Sequence, residues 1–400
     1  MGDICESYYP SDEHHRQFWD GQSNKDECGV NVPDGFPKTL NSTLAWRGED
    51  IQDKEAQWKV KFSDQDVSSI HNAVKTFDAN PTEENSHDLT QISTTTFPLP
   101  IDLSRRLRHL SDNIYNGTGF QILSGLDPSK YSARQNVLLH AGISAHICPE
   151  RGFVDVFAKR PVGHVVNVLN GSDGPASMAP AFSDGPLSFH TDHCEVLSFY
   201  YQEMSPKGGQ TILSSSWQAY NELAAHSPEV LHTLAEPWVL DSFKSYSLQP
   251  LRKVCFLSNL DPKNMPPVLF RYSRHPILGW QRKRNSELPA PSQKQMRALD
   301  AVQFIAQKNA MSLPIARGDM IFINDLAVFH ARDEFKDGDA SMKRHLLKMY
   351  LRDPEQGWTV PQSLQETFGA RYTRKPGDLS PEVWDIDHEP GLEELSFVNG

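Results

Sequence analysis

Two histidines and one aspartate have the residue types and the spacing of a metal-ligand set. His190 and Asp192 lie one residue apart in the run 186–193, and His330 lies far downstream in the run 318–332. Two imidazoles and one carboxylate on one face of a metal are typical of non-haem iron(II) sites, because they leave three positions open for a bidentate cosubstrate and O₂. The spacing therefore predicts an iron(II) centre with open coordination positions.

A His-x-Asp pair is common by chance, so the elements around it decide its meaning. Residues 195–201, just after the pair, form a β-branched and aromatic run of strand character. On an extended segment His190 and Asp192 leave the same face of the backbone. Residues 320–329 form a strand-like run that ends at His330. The ligands are thus expected at the ends of strands.

Strands dominate around the ligands and helical patterns fill the inserts. We expect an α+β fold with a mainly β core, built as a double-stranded β-helix (a jelly-roll, cupin-like barrel) with helices packed outside. Residues 1–44 are polar and lack a sustained period, so they are predicted as a partly ordered arm before a single domain over residues 45–400. Further elements are predicted at residues 63–77 (a helix with Ser63 as N-cap), 103–115 (helix), 120–123 (strand), 216–235 (helix), 292–307 (helix) and 343–353 (strand).

Composition limits the possible partners. A formal net charge of −12 with no cluster of Lys and Arg argues against nucleic acid. The chain has no apolar run of membrane-spanning length, and its polar first residues lack the pattern of a signal peptide, so we expect a cytoplasmic protein that acts on a small molecule. Formation of a homo-oligomer stays open. The cysteines have no zinc-binding spacing and are expected to be free thiols; they are Cys5, Cys28, Cys148, Cys194 and Cys255.

Four segments together resemble the taurine dioxygenase and dichlorophenoxyacetate dioxygenase (TauD/TfdA) family of iron(II)/2-oxoglutarate enzymes, in particular its long fungal members. The similarity covers about residues 46–353. It is carried by the motifs at residues 189–192, 207–215, 330–332 and 344–348. Together these motifs are fairly specific, although none is specific alone.

The resemblance implies roles for six residues. His190, Asp192 and His330 would ligate iron. Arg344 and Thr211 would bind the far carboxylate of 2-oxoglutarate, and a guanidinium suits this task because its fork grips both oxygens and cannot deprotonate. At the position of Lys348, taurine dioxygenase has an arginine that binds the substrate sulfonate, so this chain differs from it there. Our hypothesis is that Lys348 meets an anionic or carbonyl group of the substrate, and a solvent-facing lysine is the alternative.

Other polar residues have weaker claims. The parity of His193 turns it away from the metal if the strand continues, and the histidines at positions 14, 15, 164, 275 and 345 have no partner at ligand spacing. Asn324 and Asp325 either orient an imidazole or bond within a turn. Residues 148–178, with a loop at 171–175, are predicted to shape substrate choice as a lid or to form an ordinary surface loop.

The resemblance implies a dioxygenase that uses Fe(II), 2-oxoglutarate and O₂. Such an enzyme oxidises an unactivated C–H bond of a small organic acid or a fungal secondary metabolite and releases succinate and CO₂. Two alternatives stay open at this point, a zinc-dependent hydrolase with the same three ligands and a non-catalytic binding module on the same barrel. Arg344 favours the dioxygenase, because a hydrolase has no need for a carboxylate-binding arginine beside its metal.

Overall fold

A computed structural model of the protein describes most of the chain. The described residues are 8–23, 30–79, 88–156, 158–168, 180–241, 252–255, 257–259, 268–280, 283–339, 342–372 and 381–388. The residues 171–175 of the predicted lid lie outside these ranges.

Strands and α-helices are interspersed along the chain, and each is numbered in chain order. The helices are α1 Asp12–Ser23, α2 Gly48–Ile51, α3 Glu55–Trp58, α4 Asp64–Ala79, α5 Ile101–Asn116, α6 Ala133–Ile147, α7 Ser216–His226, α8 Pro228–Ala235, α9 His275–Leu278, α10 Gln293–Lys308 and α11 Gln362–Tyr372. The strands are β1 Lys59–Lys61, β2 Phe120–Ser124, β3 Glu150–Gly152, β4 Val162–Val166, β5 Leu187–His190, β6 Val196–Glu203, β7 Lys207–Gly208, β8 Thr211–Ser215, β9 Pro237–Leu240, β10 Arg252–Cys255, β11 Leu257–Asn259, β12 Val268–Phe270, β13 Met311–Ser312, β14 Met320–Asn324, β15 Val328–Arg332, β16 Phe335–Lys336 and β17 His345–Arg352.

Two sheets carry the residues of interest. The larger has the order β1-β2-β14-β6-β17-β3, and β4 also pairs with β17. The smaller has the order β13-β8-β15-β5. Three further strand pairs, β9 with β10, β11 with β12 and β7 with β16, form two-stranded sheets, and the described strands form no closed barrel.

Helices cover the outer faces and complete the core. α6 is buried from Asn136 to Ile147 and contacts α5 and β17. α10 contacts β5 and β8 of the smaller sheet, and its Ser292 N-cap accepts from the Gln295 amide. Buried apolar side chains of the central strands, such as Ile321 and Tyr200, fill the space between these layers. The core thus holds both sheets rigidly, as a site assembled from several strands requires.

A turn separates the two strands that precede and contain His330. The sequence predicted one strand over residues 320–329, and this prediction was wrong. Residues 325–327 form a turn, so β14 pairs with β6 in the larger sheet, whereas β15 pairs with β5 and β8 in the smaller sheet. Asn324 closes this turn, because its side chain accepts from the Leu326 amide and its carbonyl accepts from the Ala327 amide. The mostly apolar pattern around it does not reveal the change of sheet.

The helix predictions were confirmed with two corrections. The helices near residues 63–77, 103–115 and 292–307 are present, and the Ser63 hydroxyl accepts from the Asp66 amide. The helix predicted over residues 216–235 is divided into α7 and α8, because Pro228 lacks the amide that would continue it. Part of the predicted N-terminal arm forms α1, which packs against α10 through a ring contact of Phe18 with Phe304 at 5.5 Å. The domain division itself stays a prediction.

Among the described residues, no helix is long and apolar enough to span a membrane. Cys148 and Cys194 are buried free thiols, as predicted for these two cysteines.

A buried glutamate anchors the start of β6. The Glu195 carbonyl accepts from the Asp325 amide at 2.9 Å, and its carboxyl group lies 3.4 Å from the Tyr115 hydroxyl and 4.0 Å from Arg352 Nη1. Burial raises the pKa of Glu195 to about 8, against the weaker opposing effect of Arg352. The carboxyl group is therefore held in its protonated form at neutral pH.

This raised pKa predicts a pH-dependent stability. The unfolded chain loses the Glu195 proton near its ordinary pKa, whereas the folded chain keeps it until about pH 8, so the stability falls as the pH rises through this window. We expect Glu195→Gln to reduce this pH-dependent loss of the free energy of unfolding by about 2–4 kcal/mol. Thermal denaturation at pH 5 and pH 9 checks it: the variant should match the wild type at pH 5 and exceed its melting temperature at pH 9. Parallel profiles of the two proteins would contradict the assignment.

Candidate active site

The three predicted ligands meet at the smaller sheet. His190 ends β5, Asp192 follows it by two residues, and His330 lies in β15 directly opposite His190. The two imidazole rings are 4.1 Å apart between centroids. One ligand atom from each of the three side chains lies within 4.8 Å of the others, and all three residues are buried. The strand register thus assembles a set that is scattered in sequence.

The free atoms of this cluster fit a metal ion. His190 Nδ1 donates to the Ser188 carbonyl at 2.8 Å, which leaves Nε2 with its lone pair. Asp192 Oδ1 is buried without a hydrogen-bond partner among the described residues. A buried carboxylate oxygen without a partner is costly, and a metal cation removes this cost. The donor set of two imidazoles and one carboxylate suits iron(II).

The electrostatics favour the protonation states that bind metal. Burial lowers the pKa of His190, and burial together with His190 holds the pKa of His330 well below its ordinary value. Burial acts to raise the pKa of Asp192, but Lys348 and the two histidines outweigh this effect and lower it. At neutral pH the site therefore holds two neutral imidazoles and one carboxylate, the forms that ligate.

Asp325 lies beside the distal histidine, and its neighbour Asn324 does not. Asp325 Oδ1 is 3.5 Å from His330 Nδ1, and burial next to Asp192 raises the pKa of Asp325 well above its ordinary value. Asn324 instead donates to the Ile114 carbonyl and accepts from a turn amide. Of these two residues, Asp325 has the position to orient an imidazole.

Lys348 reaches the ligand cluster itself. Its ammonium forms an ion pair with Asp192 Oδ2, and the Tyr350 hydroxyl donates to the same oxygen at 3.2 Å. Lys348 is buried, and its Nζ lies 5.9 Å from the centroid of the Phe199 ring. A solvent-facing lysine, the alternative considered from the sequence, is therefore wrong. A contact between Lys348 and the substrate stays a prediction.

Thr211 and Arg344, the two predicted cosubstrate residues, both lie near Tyr201. Thr211 begins β8, and its hydroxyl shares a hydrogen bond of 2.5 Å with Tyr201. Arg344 just precedes β17, is buried, and has Cζ 5.4 Å from the centroid of the Phe335 ring. Burial lowers the pKa of Arg344, and the nearby Tyr201 phenol opposes this effect. Among the described residues the Arg344 guanidinium has no ion pair, so its fork is available to an anionic ligand.

Arg332 is a buried cation for which the sequence predicted no role. Its guanidinium donates to the carbonyls of Ala181, Ser183 and Gly185. Burial and the charge of Arg344 lower the pKa of Arg332 to about 9. The signal was present in the sequence, because Arg332 has the same strand parity as His330.

The remaining histidines stay outside the ligand cluster, as predicted. Arg271 Nη2 lies 2.8 Å from the ring nitrogens of His193. His164 and His345 contact each other at 2.8 Å on neighbouring strands. His275 is buried, and His14 contacts Asp300 at 3.3 Å. Within the described ranges, His190, Asp192 and His330 are the one group with metal-ligand spacing.

Comparison of the sequence with known proteins identifies the relatives of the chain. The model of the family described as "Taurine catabolism dioxygenase TauD, TfdA family" matches residues 85–350. The chain is also 30% identical over 376 residues to the taurine hydroxylase-like protein SAT17 of Stachybotrys chartarum, and the match covers 90% of each chain. The segment matched by the family model contains the three predicted metal ligands and the two predicted cosubstrate residues, Thr211 and Arg344.

Solved structures with a similar fold are non-haem iron oxygenases. An asparagine oxygenase in complex with Fe(II), 3-hydroxyasparagine and succinate has a TM-score of 0.56 at 14% identity, covering 75% of this chain and 98% of its own. The oxygenase OrfP in complex with Fe and α-ketoglutaric acid has a TM-score of 0.54 at 15% identity, covering 74% and 94%. These likenesses confirm the predicted fold class, a double-stranded β-helix core with flanking helices.

The geometry of the ligand cluster predicts how iron binding responds to substitution. His190→Gln should raise the Kd for Fe(II) at least about 100-fold, a loss of roughly 3 kcal/mol, because the site then keeps two of its three protein ligands. Anaerobic calorimetric titration with Fe(II) measures this change. His193→Gln is the matched control, since its ring lies against Arg271, and it should bind Fe(II) as the wild type does. Equal affinities in wild type and His190→Gln would contradict the assignment.

Proposed function

The chain belongs to the taurine catabolism dioxygenase TauD, TfdA family, and we propose that it works as an iron(II)/2-oxoglutarate-dependent dioxygenase on a small organic acid or fungal secondary metabolite. One observation carries this proposal: a complete His-Asp-His ligand set is buried, its His330 shares β15 with Arg332, and Arg332 and Arg344 are buried guanidiniums without a carboxylate partner among the described residues. The first feature fits the metal and the second fits a dicarboxylate cosubstrate.

Each residue in the pocket has a distinct task in this proposal. His190, Asp192 and His330 would hold the iron. With 2-oxoglutarate and O₂, the bound iron supplies the oxidation of an unactivated C–H bond, and the cosubstrate leaves as succinate and CO₂. Asp325 orients the His330 ring, and the Ser188 carbonyl fixes the tautomer of His190. The protein thereby supplies placement and excludes water.

Arg344 and Thr211 would bind the far carboxylate of 2-oxoglutarate. The guanidinium of Arg344 is buried and free of ion pairs within the described chain. The Tyr201 phenol, which shares a hydrogen bond with Thr211, also raises the pKa of Arg344 against the effect of burial. Binding a carboxylate there compensates a buried charge, which makes the contact stronger than a similar one in water. This pocket also argues against the zinc hydrolase and the binding module, because neither needs a carboxylate site beside the metal.

The relatives suggest the chemical class of the primary substrate. The related fungal protein is described as taurine hydroxylase-like, and the similar structures contain hydroxylated asparagine or arginine. We therefore propose a small polar substrate with amino-acid or organic-acid character, close to Lys348 and the ligand cluster. We also propose that the enzyme acts in the cytoplasm, without nucleic-acid partners, in keeping with its net charge of −12.

Anaerobic titration of the iron(II)-loaded protein with 2-oxoglutarate tests the proposed function. Binding should produce the weak visible charge-transfer band of an iron chelate. Arg344→Leu should raise the Kd for 2-oxoglutarate about 100-fold, or roughly 3 kcal/mol, because a buried charged hydrogen bond is lost. Arg352→Leu is the control: it removes a guanidinium from the same end of the chain that instead pairs with Glu150. Wild-type protein that binds iron and shows no band would overturn the proposal.

A smaller effect is expected at the hydroxyl pair. Thr211→Val keeps the shape of the side chain but removes the hydroxyl that would contact the far carboxylate, so the Kd for 2-oxoglutarate should rise about 5- to 10-fold. The same titration measures it. Ile212→Val, at the next residue of β8 with the opposite parity, should leave the affinity unchanged. A Kd for Thr211→Val equal to that of the wild type would remove Thr211 from the cosubstrate site.

A further inference from the structure

Arg332 holds a second buried positive charge in the pocket. It is 4% exposed, and among the described residues it has no carboxylate within ion-pair distance. Its hydrogen bonds go to three backbone carbonyls in residues 181–185. Carbonyl groups fix the position of a guanidinium but carry no full negative charge, so they compensate only part of the cost of burying it.

Strand register places Arg332 beside the candidate cosubstrate residues. In the ladder of β15 and β8, Arg332 lies directly opposite Thr211. Directly opposed residues of an antiparallel pair have their Cβ atoms about 4.5–5.5 Å apart on the same face. Arg332 therefore shares the face of the sheet that carries Thr211.

One aromatic ring connects Arg332 with Arg344. The Cζ atom of Arg332 lies 4.8 Å from the centroid of the Phe335 ring, and that of Arg344 lies 5.4 Å from the same centroid. The charge of Arg344 acts on Arg332, and like charges repel each other more strongly in a buried environment than in water. An anion bound between the sheets relieves the repulsion, so its affinity depends on both charges and not only on the arginine that touches it.

We propose that Arg332 is a positioning residue for 2-oxoglutarate, with two separable tasks. Its positive charge strengthens binding of the far carboxylate that Arg344 and Thr211 contact. Its donors hold residues 181–185 in place, just before the strand that ends in His190. This inference rests on the proposed function and adds a residue to it.

The test separates the charge of Arg332 from its hydrogen bonds. Arg332→Lys keeps the charge and loses most of the donors, whereas Arg332→Gln loses the charge and keeps an amide donor. Each iron(II)-loaded protein is titrated anaerobically with two ligands, and the visible chelate band gives the Kd. One ligand is 2-oxoglutarate. The other is 2-oxobutyrate, which has the same keto-acid end but a hydrogen atom in place of the far carboxylate.

A charge effect predicts a specific pattern of dissociation constants. Arg332→Gln should raise the Kd for 2-oxoglutarate about 10-fold or more, and Arg332→Lys should stay within about 3-fold of the wild type. The Kd for 2-oxobutyrate should stay within about 3-fold in all three proteins, because this ligand has no far carboxylate to feel the charge. Circular dichroism confirms that each variant is folded.

Two other results would overturn the inference. An equal loss of affinity for both ligands would show that Arg332 only supports the structure of residues 181–185. An equal loss in the lysine and glutamine variants would show that its hydrogen bonds matter and its charge does not. Failure of the proposed function is distinguishable from both, because the wild-type protein itself would then show no band with either ligand.

Discussion

Burial of charge between the two sheets is the constraint on which the rest of the structure depends. Asp192, Lys348, Arg332 and Arg344 are each at most 4% exposed. In such an environment a charge without a partner costs several kcal/mol. Asp192 and Lys348 compensate each other, whereas the two guanidiniums have no carboxylate partner within the described chain. The pocket therefore holds an excess of positive charge that a dicarboxylate neutralises, next to three ligand atoms that fit a metal ion.

The fold brings these groups together from several strands of the two sheets. The histidines lie on neighbouring strands of the smaller sheet, whereas Lys348 and Tyr350 come from the larger one. The turn at residues 325–327 moves the chain between the sheets and places Asp325 beside His330. Most of these side chains are fixed by a sheet register, and Asp192, Asp325 and Arg344 lie within two residues of a strand end. This suits a site whose chemistry depends on exact placement.

The sequence alone predicted the parts that follow local rules, namely the ligand types, their strand setting and most helices. It did not predict the break at Pro228, where the helical period continues across a proline. Nor did it predict the turn within residues 320–329, where Asn324 and Asp325 are the one polar interruption of an apolar run. It also did not predict the ion pair of Lys348 with Asp192 or the burial of Arg332. Both depend on which strands become neighbours, and strand order is a property of the whole fold that local patterns do not encode.

The central claim is that the pocket couples decarboxylation of 2-oxoglutarate to dioxygen through the His-Asp-His set. Its most direct test is incubation of the iron(II)-loaded protein with 2-oxoglutarate under ¹⁸O₂, followed by mass spectrometry of the succinate. Our account predicts succinate that carries one ¹⁸O atom, and no such product from an Asp192→Ala variant. Unlabelled succinate, or none at all from protein shown to contain iron, would contradict it.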